Sequence, residues 1–307
     1  MKLFRRRSVL LQEWTYAARY FYPRGRLPAG QLLYRWLAWR VARRLDARYR
    51  RRVLPLRVAP RIELLVPDIA QEYDLYLYRA PLLEAEFFYL PRLVRPGMRV
   101  LNIGANVGIY ALALAQLAGP TGEVHAFEPA PETQRALLAN LYWNQARSLV
   151  GSNVRCHQLA LGDADGAVKL FHYPSHLQRS LFAQTPDQPY DEVRATTLDR
   201  WLAEQGITRV DLIWIDVEGA ETMVLRGAAG LLGRDDAPTI VCEFNKKFGT
   251  PQGIWDLLAS HGYQFWHYNA RRDRLLPLAG PLDGEIYTHR QGLPGLGYGN
   301  VICVKQR

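Results

Sequence analysis

From about residue 99 the chain alternates short apolar runs with stretches of helical length. Residues 99–103, 123–127, 154–159, 211–215, 239–244, 264–268 and 300–305 read as strands. Residues 109–118, 131–145, 198–204, 220–232 and 252–261 read as helices. Strands separated by helices build βαβ units, in which a mostly parallel sheet is covered by helices. This pattern confines the chain to an α/β architecture. Residues 168–173 form a further strand, expected to pair beside 154–159. On such sheets, ligands bind beyond the C-terminal strand ends, near the point where strand order reverses. The residues that follow each strand are therefore the ones that carry function.

With 307 residues, 49% of them hydrophobic, one large domain with an extension is expected. The reading divides the chain into a basic helical arm and linker over 1–70 and a Rossmann-like domain over 71–307. Charge follows the same division. Residues 1–60 hold sixteen Lys and Arg against two acids, Glu13 and Asp46, whereas the remainder is mildly acidic. Residues 8–22 and 31–52 read as helices. In the second, Leu32, Leu33, Trp36, Leu37, Val41 and Leu45 recur at spacings of three and four among eight arginines, which makes it amphipathic and basic. Such a helix either lies on an anionic membrane surface or packs on the body with its arginines solvated. Pro55, Pro60 and Pro67 mark a linker with a short hairpin around 56–66, and residues 82–93 read as helical.

The three cysteines, Cys156, Cys242 and Cys303, are far apart in sequence and lie in strand-like runs, as buried free thiols do. No apolar run reaches the roughly 18 residues of a spanning helix, and Glu13 and Arg19 interrupt the signal-like start. A cytoplasmic protein is expected, peripheral at the inner membrane face if the arm binds lipid.

The strongest local signal is Val100-Leu-Asn-Ile-Gly-Ala-Asn-Val-Gly108: a buried strand, a glycine turn, then a helix. Glycines at such a turn let a ligand approach the backbone where a Cβ would clash. The Gly104-x-x-x-Gly108 spacing departs from the G-x-G-x-x-G of a dinucleotide site. The second strand ends in Phe127-Glu128-Pro129. An acid there can accept both hydroxyls of a ribose diol, which S-adenosylmethionine and NAD share. Its alternative is a solvated loop carboxylate.

These residues resemble the FkbM family of methyltransferases. The resemblance runs over roughly residues 80–304. It continues through Asn140 and Asn144, Leu159-Ala-Leu-Gly-Asp163, Thr197-Leu-Asp199, Val210-Asp-Leu-Ile-Trp-Ile-Asp-Val-Glu-Gly-Ala-Glu221, Leu225-Arg-Gly-Ala228 and Pro238-Thr-Ile-Val-Cys-Glu243. It implies a class I methyltransferase fold, a seven-stranded sheet with an antiparallel last strand, and S-adenosylmethionine as cofactor. By the same resemblance Gly104, Ala105, Asn106 and Gly108 cradle the methionine part, Glu128 and Pro129 sit at the ribose, and Ala160 and Leu161 flank the adenine. The family pattern carries Asp where this chain has Asn102, which is expected near the methionine end.

Methyl transfer to a hydroxyl needs in-line geometry and a group that takes the proton. Asp216, Glu218 and Glu221 follow the fourth strand, and Glu243 and Asn245 end the fifth. Asp216 and Glu218 share a side if the chain stays extended. Asp216, Glu218 and Glu243 are the expected catalytic acids, and Glu221 is expected to favour a helix dipole. Such acids suit a divalent metal such as Mg²⁺, although no recognised metal spacing is present. His176, Ser180 and Asn245 are candidate substrate contacts, whereas His125, inside a strand, is structural.

The expected activity is O-methylation of a sugar, glycan, glycolipid or related natural product. Two alternatives are an RNA methyltransferase and a membrane-peripheral cofactor-binding protein without catalysis. The acidic body and the lack of an RNA-binding signature argue against nucleic acid.

Overall fold

The computed structural model describes residues 53–59, 61–66, 87, 89–173, 179–245, 251–269, 273–281 and 298–306. The expected helices at 8–22 and 31–52 lie outside these residues, as does half of 82–93. No helix among the described residues is long and apolar enough to cross a membrane.

The chain begins with an antiparallel hairpin, β1 (Leu54–Ala59) and β2 (Ile62–Val66), followed by α1 (Leu90–Leu93). The α/β series is β3 (Arg99–Ile103), α2 (Ile109–Ala118), β4 (Glu123–Phe127), α3 (Pro131–Ala146) and β5 (Val154–His157). Then come β6 (Ala160–Gly162), β7 (Gly166–His172), β8 (Arg179–Ser180), β9 (Tyr190–Thr197) and α4 (Leu198–Glu204). The chain continues through β10 (Leu212–Ile215), α5 (Glu221–Arg226), α6 (Ala229–Leu232), β11 (Thr239–Asn245), α7 (Pro251–Ser260), β12 (Tyr263–Asn269), β13 (Arg274–Pro277) and β14 (Tyr298–Lys305).

The main sheet has the order β13-β12-β14-β11-β10-β3-β4-β5. Strands β5, β4, β3, β10 and β11 run parallel, and β14 is antiparallel to both its neighbours, β11 and β12. Seven of these strands are the class I methyltransferase sheet with its antiparallel last strand, and β13 adds an eighth at the edge by pairing antiparallel with β12. The order reverses between β3 and β10. The C-terminal ends of these two strands therefore flank the crevice in which a ligand is expected.

Both faces of the sheet are covered. Val100, Trp214, Val241 and Ile302 join Leu112 and Leu114 of α2 in one core. Leu101, Ile103, Ile213, Ile240 and Cys242 pack with Leu198, Leu225 and Leu258 of α4, α5 and α7 on the other side. Burial on both faces explains why these strands read as unbroken apolar runs rather than as alternating ones.

Three elements differ from the sequence reading. Residues 168–173 do not pair beside β5: β7 pairs with β9 and β8 in a separate four-stranded sheet of order β6-β9-β7-β8. Within β7 only Leu170 is buried, so the strand suits a sheet with one wet face. The helix read over 220–232 is two helices, broken at Gly227. A Cβ on Gly227 would stand 1.9 Å from the Gly162 carbonyl oxygen, so the chain turns against β6 there. Asp199 caps the second helix through Gly230 N and Leu231 N, at 2.6 and 2.9 Å.

The third is the hairpin, assigned to the arm and linker, which is seated on the body. Its Ile62 and Leu64 are buried in the α2 core. Asn140 and Asn144 of α3 clasp β2 like a neighbouring strand. Asn140 Oδ1 accepts from Leu65 N at 2.6 Å, Asn144 Oδ1 accepts from Glu63 N at 3.0 Å, and Asn144 Nδ2 donates to Glu63 O at 2.6 Å. The pair satisfies an edge that would otherwise present bare backbone.

Candidate active site

The turn between β3 and α2 is built from left-handed residues: Gly104 at φ 83, Asn106 at φ 51 and Gly108 at φ 97. Only glycine fits at Gly104, because a Cβ there would lie 1.8 Å from the Asp216 carbonyl oxygen. At Gly108 a Cβ would meet Leu137 Cδ1 at 2.6 Å. The turn is pinned to its neighbours on both sides. Gly104 N and Ala105 N donate to Phe127 O at 3.0 and 2.8 Å, and Asn140 Nδ2 donates to Val107 O at 2.8 Å.

Glu128, at the end of β4, is only 7% exposed, which removes the solvated-loop reading. Its Oε2 accepts from Asn106 N at 2.9 Å and its Oε1 from Ala130 N at 3.0 Å. Each carboxylate oxygen has a further lone pair for a ribose hydroxyl. Burial pushes its pKa up to about 7, against the pull of the two backbone amides and of Arg179. Half-buried Pro129 bridges Glu128 to Ala130, and Pro131 then occupies the first turn of α3. Ala160 and Leu161 lie buried in β6, the first facing Ala130 and the second packed with Leu198 and Trp201.

Asn102 lies one pleat below the turn, 1% exposed, with its Oδ1 unbonded. Its register neighbours are Ala126 on β4 and Trp214 on β10. Trp214 stacks on Tyr110, at 4.1 Å between centroids, directly after the glycine turn.

The acids lie on the other side of Gly104. Trp214 pairs with Val241 and Glu243 with Asn300, so Asp216, Glu243 and Asn300 follow Gly104 along one row on one face of the sheet. Oxygen atoms of Asp216, Glu221 and Glu243 lie within 4.8 Å of one another. This corrects one assignment. Glu218 is not part of the cluster, because the chain does not stay extended after Asp216. Glu218 turns to φ 53 and Gly219 to φ 106, and the third acid is Glu221. Its Oε1 accepts from Val217 N and Gly219 N at 3.1 and 3.2 Å, so it fastens the turn that precedes α5 while it faces the cluster. Burial raises the Glu221 pKa, against those amides.

Ser180, expected to touch substrate, has a different task. It is 1% exposed; its Oγ donates to Glu218 O at 2.8 Å and accepts from Phe182 N at 3.3 Å. It straps the small sheet to the Glu218 turn. Asn245 ends β11, and its side chain, like His176, lies outside the described residues. His125 is buried against His157 and Trp201, with 3.1 Å between His125 Nδ1 and His157 Nε2. Burial lowers both histidine pKa values, that of His157 to about 4. Sequence reasoning missed Glu221 as a cluster member, Asn300 altogether, and Arg179, whose nearly buried side chain stands 3.6 Å from Glu132.

Residues 102–265 match the model of the methyltransferase FkbM domain, more than half of the sequence. The chain belongs to the FkbM methyltransferase family. It is accordingly an S-adenosylmethionine-dependent methyltransferase. A relative in this family, the 31-O-demethyl-FK506 methyltransferase FkbM of Streptomyces tacrolimicus, is 31% identical over 203 residues, covering 55% of this chain and 74% of its own. The 2-O-methyltransferase NoeI of Sinorhizobium fredii is 29% identical over 157 residues, 44% of this chain and 59% of its own. A solved FkbM methyltransferase from Methylobacillus flagellatus aligns with a TM-score of 0.40 at 16% identity, over 64% of this chain and 51% of that one.

Proposed function

We propose that this FkbM-type enzyme methylates a hydroxyl oxygen of a sugar, glycan, glycolipid or related natural product. The observation that carries the reading is the row of groups across the switch point. The Gly104 turn and Glu128 stand on one side, and the converging carboxylates of Asp216, Glu221 and Glu243 on the other. Two family relatives are named for O-methylation, which supports an oxygen acceptor.

In this reading Glu128 accepts the ribose hydroxyls, and the backbone of the Gly104–Gly108 turn receives the methionine part. The acceptor hydroxyl sits at the acidic cluster. Its oxygen forms the new bond to the methyl carbon as the carbon–sulfur bond breaks. The bound cofactor would supply the electrophilic methyl and be left as the neutral thioether S-adenosylhomocysteine, while the Asp216 carboxylate takes the hydroxyl proton. Orientation of the two reactants supplies much of the rate, and the carboxylate adds general-base assistance. A screen of hydroxylated sugars, glycolipids and polyketides with methyl-labelled cofactor tests the reading. Label on a hydroxyl oxygen supports it. Label on nitrogen or RNA alone, or no transfer to any acceptor, overturns it.

The buried Glu128 has two measurable consequences. Glu128→Ala should weaken S-adenosylhomocysteine binding by about 1–3 kcal/mol, the worth of hydrogen bonds to a charged group. The second is a pH dependence. Burial holds the carboxyl pKa at about 7 in the free protein, so the neutral form prevails below that pH. Hydroxyl donors favour the anion. Affinity should therefore fall about tenfold per pH unit below 7 and level off above it. For folding, the sign is opposite. The raised pKa contributes stability below the unfolded value of 4.5 and loses it as pH rises through about 7. Calorimetry across pH 5–9 measures the binding profile, and Glu128→Gln should flatten it.

A further inference from the structure

We propose that Asp216, Glu221, Glu243 and Asn300 form a binding site for one hard divalent cation. The site deepens the acceptor reading above and rests on it for its catalytic meaning. Glu243 on β11 is paired with Asn300 on β14, so their side chains leave the same face side by side. Asp216 lies two residues past Trp214, whose partner is Val241, and so continues the same row just beyond β10. Glu221 reaches the row from the start of α5, with its carboxylate oriented by the amides of Val217 and Gly219. One oxygen from each acid lies within 4.8 Å of the others. Ligand oxygens around a hard cation, at 2.0–2.6 Å from it, stand no more than about 4–5 Å apart. The three acids already have the spacing of a coordination sphere.

Asn300 is the independent observation. It is 6% exposed, and its Oδ1 is buried with no hydrogen-bond partner. A buried amide oxygen left unbonded is costly, and this one stands beside Glu243 in the row. A cation there would take it as a fourth oxygen donor. The donor chemistry also selects the ion. All four groups offer oxygen, and among the described residues no histidine joins the cluster. Cys242, the nearest thiol in sequence, packs into the opposite core with Leu101 and Ile103. An all-oxygen set favours Mg²⁺, Mn²⁺ or Ca²⁺ over zinc or copper. A cation in this place would hold the acceptor hydroxyl and make its proton easier to lose.

Titration of the full chain with Mn²⁺ alone, with free ion followed by electron paramagnetic resonance, tests the site. One saturable Mn²⁺ per chain, displaced by Mg²⁺ or Ca²⁺, is expected. Glu243→Gln should weaken Mn²⁺ at least tenfold and Asn300→Leu at least threefold, while Asn300→Asp, which adds a charge at the same oxygen, should tighten it. Each variant is also titrated with S-adenosylhomocysteine, which reports folding and the Glu128 side separately. Absence of saturable Mn²⁺ binding by a chain that binds S-adenosylhomocysteine overturns the cation site and leaves the cofactor reading intact. So does Mn²⁺ binding that all three variants leave unchanged. Mn²⁺ binding that follows the three variants in a chain indifferent to S-adenosylhomocysteine supports the cation site and sinks the cofactor placement instead.

Discussion

Asp216→Asn is expected to lower kcat by about 10²–10⁴-fold, the usual worth of a positioned general base, while cofactor affinity changes little. The substitution keeps shape and volume and removes only the charge and the proton-accepting capacity. The backbone of residue 216 is held independently of its side chain, since its N–H donates to Ile103 O at 3.0 Å and its carbonyl fills the place a Cβ on Gly104 would take. The glycine turn therefore survives the change. Glu128, held by Asn106 of that turn and by Ala130, lies on its far side from Asp216. A fall in kcat/KM with an unchanged dissociation constant for S-adenosylhomocysteine is the signature of an interaction made in the transition state. Steady-state kinetics on the acceptor found by labelling, with calorimetry on the same preparation, measures both. Full turnover in the Asn variant removes Asp216 from the chemistry.

Gly104→Ala should produce a large loss of stability, because among the described glycines this one combines a positive φ with the closest backbone clash. The added carbon meets backbone on both counts. The φ of 83° disfavours any Cβ, and the carbonyl 1.8 Å away belongs to the end of β10, which cannot move without parting β10 from β3. A left-handed non-glycine residue costs roughly 1–2 kcal/mol, and the clash adds to it, for a total of about 4 kcal/mol or more, in the range reserved for severe defects. Gly162→Ala is the control, because a Cβ there has nothing within 4 Å. It should stay within about 0.5 kcal/mol of the parent. Denaturant or thermal unfolding compares the two, and a Gly104→Ala protein as stable as the control would show that the turn relaxes at no cost.

Local signals carried much of this protein. The alternation of apolar runs and helices specified the parallel sheet because burial on both faces leaves its mark within each strand. The Gly104–Gly108 turn and Glu128 were legible because a left-handed turn demands glycine where it occurs, and because the βαβ unit brings consecutive strand ends together. Asn140 and Asn144 were visible as motif residues, but their hold on β2 was not, because the hairpin edge they satisfy lies in a segment that reads as linker. The acidic centre was legible only in part. Asp216 and Glu243 stood out as strand-end acids. Glu218 was chosen over Glu221 because a spacing of two means a shared side only in an extended chain, and the left-handed turn at Glu218 and Gly219 removes that premise. Asn300 carried no local signal at all. Its place beside Glu243 exists because β14 enters antiparallel between β11 and β12 in one register, and a slip of one residue would have turned it to the opposite face. The sequence determined which strand ends carry the candidate residues, since each is written in its own few residues; which side chains meet there was decided by strand pairing, since register joins residues that no local pattern connects.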